Sequence, residues 1–270
     1  MVGPTATIVV AAVLASGCGG VASSAGPAGS NAVDIARSDG MPTLVPPTTA
    51  SATTTTTVAP TTTTTGSPVV ALLPAPVTPV PAQPVSAGQR GPAVVQLQQR
   101  LLEMGYWQPV ADGTYGAATQ HAVTAFQKAN GLPRTGKADT ATLAGMAMAP
   151  RPIATKPVAG RSLEVDLNRQ ILMVINGGQV ETVLDISSGK ASTPTPPGDY
   201  QIQRQIDGMR ISDLGQLWRP KYFTGGYALH GSPSVPTKAA SHGCVRLTND
   251  EIDWLWASGL APVGTPLSVY

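Results

Sequence analysis

The heptapeptide Ser241-His242-Gly243-Cys244-Val245-Arg246-Leu247 decides how this chain is interpreted, because it places one of only two cysteines in a short polar segment. Another histidine, His230, lies upstream in a His-Gly-Ser triplet. A thiol attacks a carbonyl as the thiolate, so a nucleophilic cysteine needs a nearby base or cation. Gly243 lets the backbone approach a substrate, and the N–H groups of Gly243 and Cys244 are candidate oxyanion donors. The segment indicates a catalytic cysteine, with a buried structural cysteine as the alternative.

This segment resembles the active-site loop of the L,D-transpeptidase catalytic-domain family, in which a His-Gly or His-Ser is followed by Ser/Thr-His-Gly-Cys. Two upstream stretches extend the resemblance. Residues 222–232 are similar to the strand that delivers the first histidine of the family, and Thr195-Pro196-Pro197-Gly198-Asp199-Tyr200 is similar to its Thr-Pro-Thr-Gly turn. The resemblance covers residues 161–270.

The resemblance implies a role for each residue of the site. Cys244 is the nucleophile, and His230 is its general base and later its general acid, oriented by the carbonyl of Gly231. A carbonyl can fix the tautomer of an imidazole in this way. His242 is expected to hold the loop, and Arg246 to be a cation near the substrate or the thiolate. Loop support alone stays open for His242, and an ordinary ion pair for Arg246. The residues expected to support the site, bind substrate or stabilise the oxyanion are Gly231, Ser241, His242, Gly243 and Arg246.

The activity implied by the resemblance is cross-linking of peptidoglycan stem peptides. Cys244 would attack the carbonyl of the diamino acid third in a tetrapeptide stem, and the terminal D-Ala would leave. An amine of a second stem would then resolve the thioester, with no cofactor and no metal. Two alternatives remain: an L,D-carboxypeptidase, in which water replaces the amine, and a wall-binding protein with a degenerate catalytic domain.

Composition argues against two other function classes. The formal net charge is +2 and only 12% of residues are charged, so the chain lacks the basic surface typical of nucleic-acid binding. The three histidines are scattered and show no metal-ligand spacing, which disfavours a metallopeptidase. The remaining histidine, His121, shares the polar side of a predicted helix with Thr124 and Lys128, and we expect it on the surface.

Residues 1–18 are predicted to be an export signal. The apolar run Ile8–Ala15 is too short to cross a bilayer, and it ends in Ala15-Ser16-Gly17-Cys18, which resembles a bacterial lipobox. Cys18 would then be lipidated and would anchor an exported protein to the membrane, facing the cell wall. An ordinary cleavable signal and an uncleaved anchor are the alternatives.

Residues 19–85 are predicted to be a disordered Thr/Pro-rich linker. Threonine runs occupy 53–57 and 61–65, and no charged residue occurs between Gly40 and Gln89. Such a segment offers little apolar surface to offset the entropy of ordering. We expect an extended tether.

Residues 86–150 are predicted to form a small helical domain. Pro92 opens the first helix and Gly105 closes it, a second helix spans about 117–130, and a third follows Asp139. Segments 95–101 and 125–132 carry a resemblance to the three-helix peptidoglycan-binding domain. Binding of glycan or stem peptide is implied, with a spacer role as the alternative.

After a linker at 151–160, the pattern changes to the alternation of β-strands at 161–270. Asn176-Gly177-Gly178 is a hairpin signal, and a helix is expected near Asp250–Trp256. The fold class is therefore multidomain, with the small all-α domain followed by a β-rich sandwich or barrel-like domain. We expect the β-rich domain to have a core of its own and to fold alone.

Overall fold

The structure is a computed structural model that describes residues 77–156 and 158–270. The predicted signal, Cys18 and most of the predicted linker lie outside the described residues. None of the helices in the described part of the chain is both long enough and apolar enough to cross a membrane.

Three helices form the predicted all-α domain, which is confirmed: α1 (Pro92–Glu103), α2 (Ala117–Ala129) and α3 (Thr140–Met148). Local residues set their ends. Pro92 occupies the first turn of α1, and Gly105 follows the helix with a φ of +83°. The Asp139 side chain accepts the backbone N–H of Thr142 and caps α3. The order and bounds of the helices follow from these local signals.

The helical domain begins before Ser86, the first residue that the sequence predicts for it. The backbone of Val85 exchanges two hydrogen bonds with Ala138, at 3.1 and 3.0 Å. Pro81 and Val85 are buried, and Val80 packs against the helical core. The end of the predicted linker 19–85 is therefore part of the helical domain, because its few aliphatic side chains cover apolar surface there.

Ten strands and one further helix follow. In chain order they are β1 (Arg161–Asp166), β2 (Ile171–Asn176), β3 (Gln179–Asp185), β4 (Gly198–Gln201), β5 (Arg204–Gln205), β6 (Met209–Ser212), β7 (Gly215–Thr224), β8 (Tyr227–Gly231), β9 (Val245–Leu247), α4 (Asn249–Ala257) and β10 (Pro266–Val269). One sheet has the order β3-β2-β1-β10-β4. The other has the order β5-β7-β8-β9, with β6 paired to β7. This β-rich architecture confirms the predicted fold class.

The core between the two sheets consists of aliphatic and aromatic side chains. Leu163 and Val165 from β1 are fully buried, as are Phe223 from β7 and Leu229 from β8. α4 packs against β8 and β7, and its first turn is closed by a capping box between Thr248 and Glu251. This packing fixes β8 and β9, which carry the candidate site.

The helical domain covers the opposite face of the first sheet. Ile171, Met173, Ile175, Val180 and Val183 belong to the same apolar cluster as the cores of α1 and α2. Backbone hydrogen bonds join the two parts, from the N–H of Trp107 to the carbonyl of Val183 at 3.0 Å and from the N–H of Val183 to the carbonyl of Gly105 at 2.7 Å. The β-rich domain has a core of its own between its two sheets, but that core does not cover all of its apolar surface, since β2 is buried on both faces.

The predicted linker 151–160 is also attached to the sheet. The carboxylate of Glu164 accepts the backbone N–H groups of Thr155 and Lys156, at 2.9 and 2.7 Å. Glu164 is 1% exposed as a result. The alternation of apolar and polar residues in β1 therefore does not leave a solvent-exposed polar face, because the linker covers Glu164.

A group of charged side chains is buried where α2 meets β3. Lys128 Nζ lies 2.5 Å from one oxygen of Asp185, and His121 Nδ1 lies 2.7 Å from the other. The Lys128 and Asp185 side chains are fully buried, and Thr124 is only 3% exposed. The prediction that this face of α2, with His121, lies on the surface is wrong, because the face packs on the sheet.

The buried pair of Lys128 and Asp185 leads to a prediction about the stability of the fold. We expect Lys128→Met to lower the free energy of unfolding by about 3–5 kcal/mol, because Asp185 would keep a buried charge without its main partner. Lys137 is exposed on the same domain, so Lys137→Met is the matched control and should change little. Urea unfolding of the two variants measures the difference. Equal, small losses would show that the pair does not hold the helices on the sheet.

Candidate active site

Strands β8 and β9 bring the predicted thiol and imidazole to one end of the second sheet. The two strands are parallel, and His230 is paired in register with Arg246. Ala228, Leu229 and Val245 anchor the strands in apolar surroundings. Cys244 immediately precedes β9, so the thiol is held beside the histidine strand by regular backbone pairing.

A cavity of about 460 Å³ opens at this place. Five of the predicted site residues line it, namely His230, Ser241, His242, Cys244 and Arg246. The hairpin of β6 and β7 forms another part of the wall. In the described ranges 77–156 and 158–270, no three side chains of His, Cys, Asp or Glu are grouped so that they could hold a metal ion.

The His230 ring is buried and oriented by the backbone. Its Nδ1 lies 2.8 Å from the carbonyl oxygen of Gly231. Because a carbonyl oxygen only accepts, Nδ1 carries the proton and Nε2 keeps a lone pair. Burial lowers the pKa of His230, the hydrogen bond to Gly231 raises it, and the charge of Arg246 lowers it further, with a net decrease. The imidazole is therefore neutral near pH 7 and able to accept a proton.

The Cys244 thiol is partly exposed, and its Sγ lies 3.7 Å from the carbonyl oxygen of Gly226. Burial raises the pKa of Cys244, while a backbone hydrogen bond involving Ala228 and the charge of Arg246 oppose that shift. The thiol is therefore protonated at neutral pH. It needs a base at the moment of attack.

Ser241 and Thr195 hold the loop that carries the thiol. Ser241 Oγ accepts the N–H of Gly243 at 3.0 Å and donates to the carbonyl of Cys244. Thr195 Oγ1 donates to the carbonyl of Gly243 at 2.7 Å. Gly243 has a φ of +116°, and a Cβ at this position would collide with the ring of Tyr227. Only glycine fits here without strain.

These contacts correct the sequence-based view of the oxyanion donors. The N–H of Gly243 is used by Ser241 Oγ. It is therefore not a donor to the substrate, and the N–H of Cys244 remains the candidate. Sequence reasoning also missed the role of Thr195, which is 1% exposed. The signal for Thr195 was its place at the start of the Thr-Pro-Pro-Gly turn.

Gly231 contributes more than its carbonyl. A Cβ at this position would lie 2.6 Å from Ile252 and 2.8 Å from Asn249 and Trp218. A larger residue would displace α4 or the strand itself. The glycine therefore keeps the carbonyl that orients His230 in place.

The side chain of His242 is exposed, and its Nε2 lies 3.5 Å from Nζ of Lys190. The loop is held by Ser241 and Thr195, as described above. The contact with Lys190, whose backbone N–H donates to the carbonyl of Ser241, is the one hydrogen bond that the described residues give this side chain, and a role of His242 in holding the loop stays a prediction.

Arg246 joins the site to the segment that follows β3. Its backbone exchanges two hydrogen bonds with Ser187, both at 3.0 Å. No carboxylate within the described part of the chain forms an ion pair with its guanidinium. An ordinary ion pair for Arg246 therefore lacks a partner among the described residues. The positive charge of Arg246 faces the cavity that Cys244 and His230 line.

Comparisons with known proteins match both parts of the described chain. The family model of the L,D-transpeptidase catalytic domain matches residues 160–269, and that of a peptidoglycan binding domain matches residues 90–146. A crystal structure of the L,D-transpeptidase (residues 123–326) from Xylanimonas cellulosilytica is 45% identical, with 73% of this chain and 100% of that chain covered and a TM-score of 0.66. No curated protein matches the chain.

Two further solved structures have lower similarity. An L,D-transpeptidase from Stackebrandtia nassauensis is 26% identical, with 72% of this chain and 97% of that chain covered and a TM-score of 0.43. An L,D-transpeptidase from Mycobacterium smegmatis is 23% identical, with 42% of this chain and 59% of that chain covered and a TM-score of 0.37.

Proposed function

The chain belongs to the L,D-transpeptidase family, and on that premise we propose that it cross-links peptidoglycan stem peptides through a thioester on Cys244. One observation carries the proposal. The Cys244 thiol and the His230 imidazole line the same cavity, and the Gly231 carbonyl holds Nδ1 of His230 so that Nε2 can accept a proton.

Acylation begins with a neutral thiol and a neutral imidazole. His230 Nε2 takes the thiol proton as Sγ of Cys244 attacks the carbonyl of the third stem residue. The N–H of Cys244 and the charge of Arg246 stabilise the oxyanion that develops. When the tetrahedral intermediate collapses, the C–N bond breaks and His230 gives its proton to the departing amine of the D-residue.

The thioester is resolved by a second nucleophile. An amine of another stem attacks the thioester carbonyl, His230 accepts its proton, and the thiol of Cys244 is released. Attack by water at the same step would give a trimmed tripeptide and a carboxypeptidase. The product therefore distinguishes these two outcomes.

Peptidoglycan is the partner that both matched domains indicate, which suggests the cell envelope as the location. The finer localisation is a proposal. We propose that the chain is exported and anchored through lipid on Cys18, with the predicted Thr/Pro-rich linker as a tether. The mass of the mature N-terminal peptide tests this, and a peptide without lipid on Cys18 would contradict it.

Acylation of the thiol can be tested directly with a carbapenem. The family resemblance implies that the strained lactam carbonyl stands in for the stem-peptide carbonyl at Cys244. We expect one stable adduct by intact-mass analysis of the full chain. Cys244→Ala is the control and should show none, which also excludes modification of Cys18. Absence of an adduct after prolonged exposure of the unmodified chain would contradict an accessible, reactive thiol.

A further inference from the structure

The cavity of Cys244 carries an excess of positive charge. Its lining includes the guanidinium groups of Arg204, Arg210 and Arg246 and a single carboxylate, that of Asp213. None of these four side chains forms an ion pair with another residue in the described ranges. A cleft lined by uncompensated cations concentrates anionic ligands. The cavity is therefore suited to a substrate that brings its own carboxylate.

Arg204 is held in a position to receive such a group. Its guanidinium carbon lies 3.5 Å from the centroid of the Tyr222 ring. Tyr222 is 5% exposed, so the ring is a fixed platform. Stacking uses the face of the guanidinium and leaves the N–H groups at its edge free to donate. A planar donor edge matches the two oxygens of a carboxylate.

Arg210 approaches the same cavity from the neighbouring hairpin. It lies on β6 and is paired with Leu217 of β7, which is buried and also lines the cavity. One of its N–H groups donates to the carbonyl of Ile211. A guanidinium has five N–H donors, so others remain for a ligand.

We propose that Arg204 and Arg210 bind the terminal carboxylate of the D-residue that leaves the donor stem, and so select donors with a free terminal carboxylate. This inference rests on the proposed function. The terminal carboxylate is only a few covalent bonds from the carbonyl that Cys244 attacks, so it enters the same cavity. Departure of the D-residue also removes the anion and leaves the space to the acceptor stem.

Two matched substrates and three variants test the proposal. The substrates are a stem tetrapeptide and the same peptide with its terminal carboxylate converted to an amide. For the unmodified chain we expect kcat/KM to be on the order of 10- to 100-fold higher with the carboxylate, the range of a hydrogen bond to a charged group. In the double variant Arg204→Gln, Arg210→Gln, the ratio should fall towards one through a higher KM for the carboxylate alone.

Arg204→Lys separates charge from shape. An ammonium keeps the charge but cannot present two parallel N–H groups, so this variant should lose part of the preference. Arg161 is exposed on β1 and does not line the cavity, so Arg161→Gln should keep the full preference. The alkylation rate of Cys244 in each variant shows whether the site is intact.

The outcomes are distinct. A double variant that alkylates normally but keeps the full preference would overturn the assignment of these two arginines and leave the proposed function standing. Equal losses of kcat/KM on both substrates would also overturn the assignment, because a packing defect lowers activity without distinguishing a carboxylate from an amide. If the unmodified chain releases the D-residue from neither substrate, the proposed function falls, and this inference falls with it.

Discussion

Cys244→Ser is expected to abolish release of the D-residue and formation of cross-linked dimers, with a loss on the order of 10³-fold or more. The seryl hydroxyl is far less acidic than a thiol, and the neutral His230 cannot generate an equally reactive nucleophile from it. The loop should survive the change. Its backbone is held by the side chains of Ser241 and Thr195, and a seryl hydroxyl can keep the contact of Cys244 Sγ with the carbonyl of Gly226.

The comparison uses the other cysteine as its control. Release of the free D-residue and thermal unfolding are measured for Cys244→Ser and for Cys18→Ser. We expect the first to be inactive with nearly unchanged stability, and the second to be active on soluble stem peptides. If Cys244→Ser keeps its activity, Cys244 is not the nucleophile. The same conclusion follows if activity is lost in Cys18→Ser alone.

The second large effect on activity is expected for the substitution His230→Ala. General-base assistance is typically worth about 10²- to 10⁴-fold, so turnover and alkylation of Cys244 near neutral pH should both fall within that range. His242→Ala is the control, because that ring is exposed and contacts Lys190. It should change both rates little. Equal kinetic losses in the two variants would contradict the role given to His230.

The pH dependence gives a second readout for the same variant. The pKa of His230 is lowered, mainly by burial, so the ring stays neutral through neutral pH and loses its basicity only as pH falls through that lowered pKa. The alkylation rate should therefore fall on the acid side. In His230→Ala this acid limb should disappear, and the rate should rise only at alkaline pH, because burial also raises the pKa of Cys244.

Much of the fold and of the candidate site could be predicted because the signals are local in sequence. Pro92, Gly105 and Asp139 mark helix ends through their own backbone or side-chain chemistry. The His230 ring and the carbonyl that orients it belong to adjacent residues. Such features depend on the residue and its immediate neighbours, which a sequence displays directly.

The features that could not be predicted join distant parts of the chain. Periodicity shows that one face of α2 is polar, but it does not show that Asp185 lies opposite Lys128 and makes the face a buried one. The apolar side chains of β2 likewise do not reveal that a helical domain covers their second face. Thr195 holds Gly243 across a long sequence separation. The excess charge of the cavity also appears only when separate strands are assembled.

One measurement tests the central claim, cysteine-dependent cross-linking, most directly. The purified full chain is incubated with a disaccharide-tetrapeptide, and the products are identified by mass, with Cys244→Ser in parallel. We expect loss of D-Ala from the donor and a dimer joined between third-position residues, both absent with the variant. A trimmed tripeptide without any dimer would contradict cross-linking, and the absence of D-Ala release would contradict attack by Cys244 at that carbonyl.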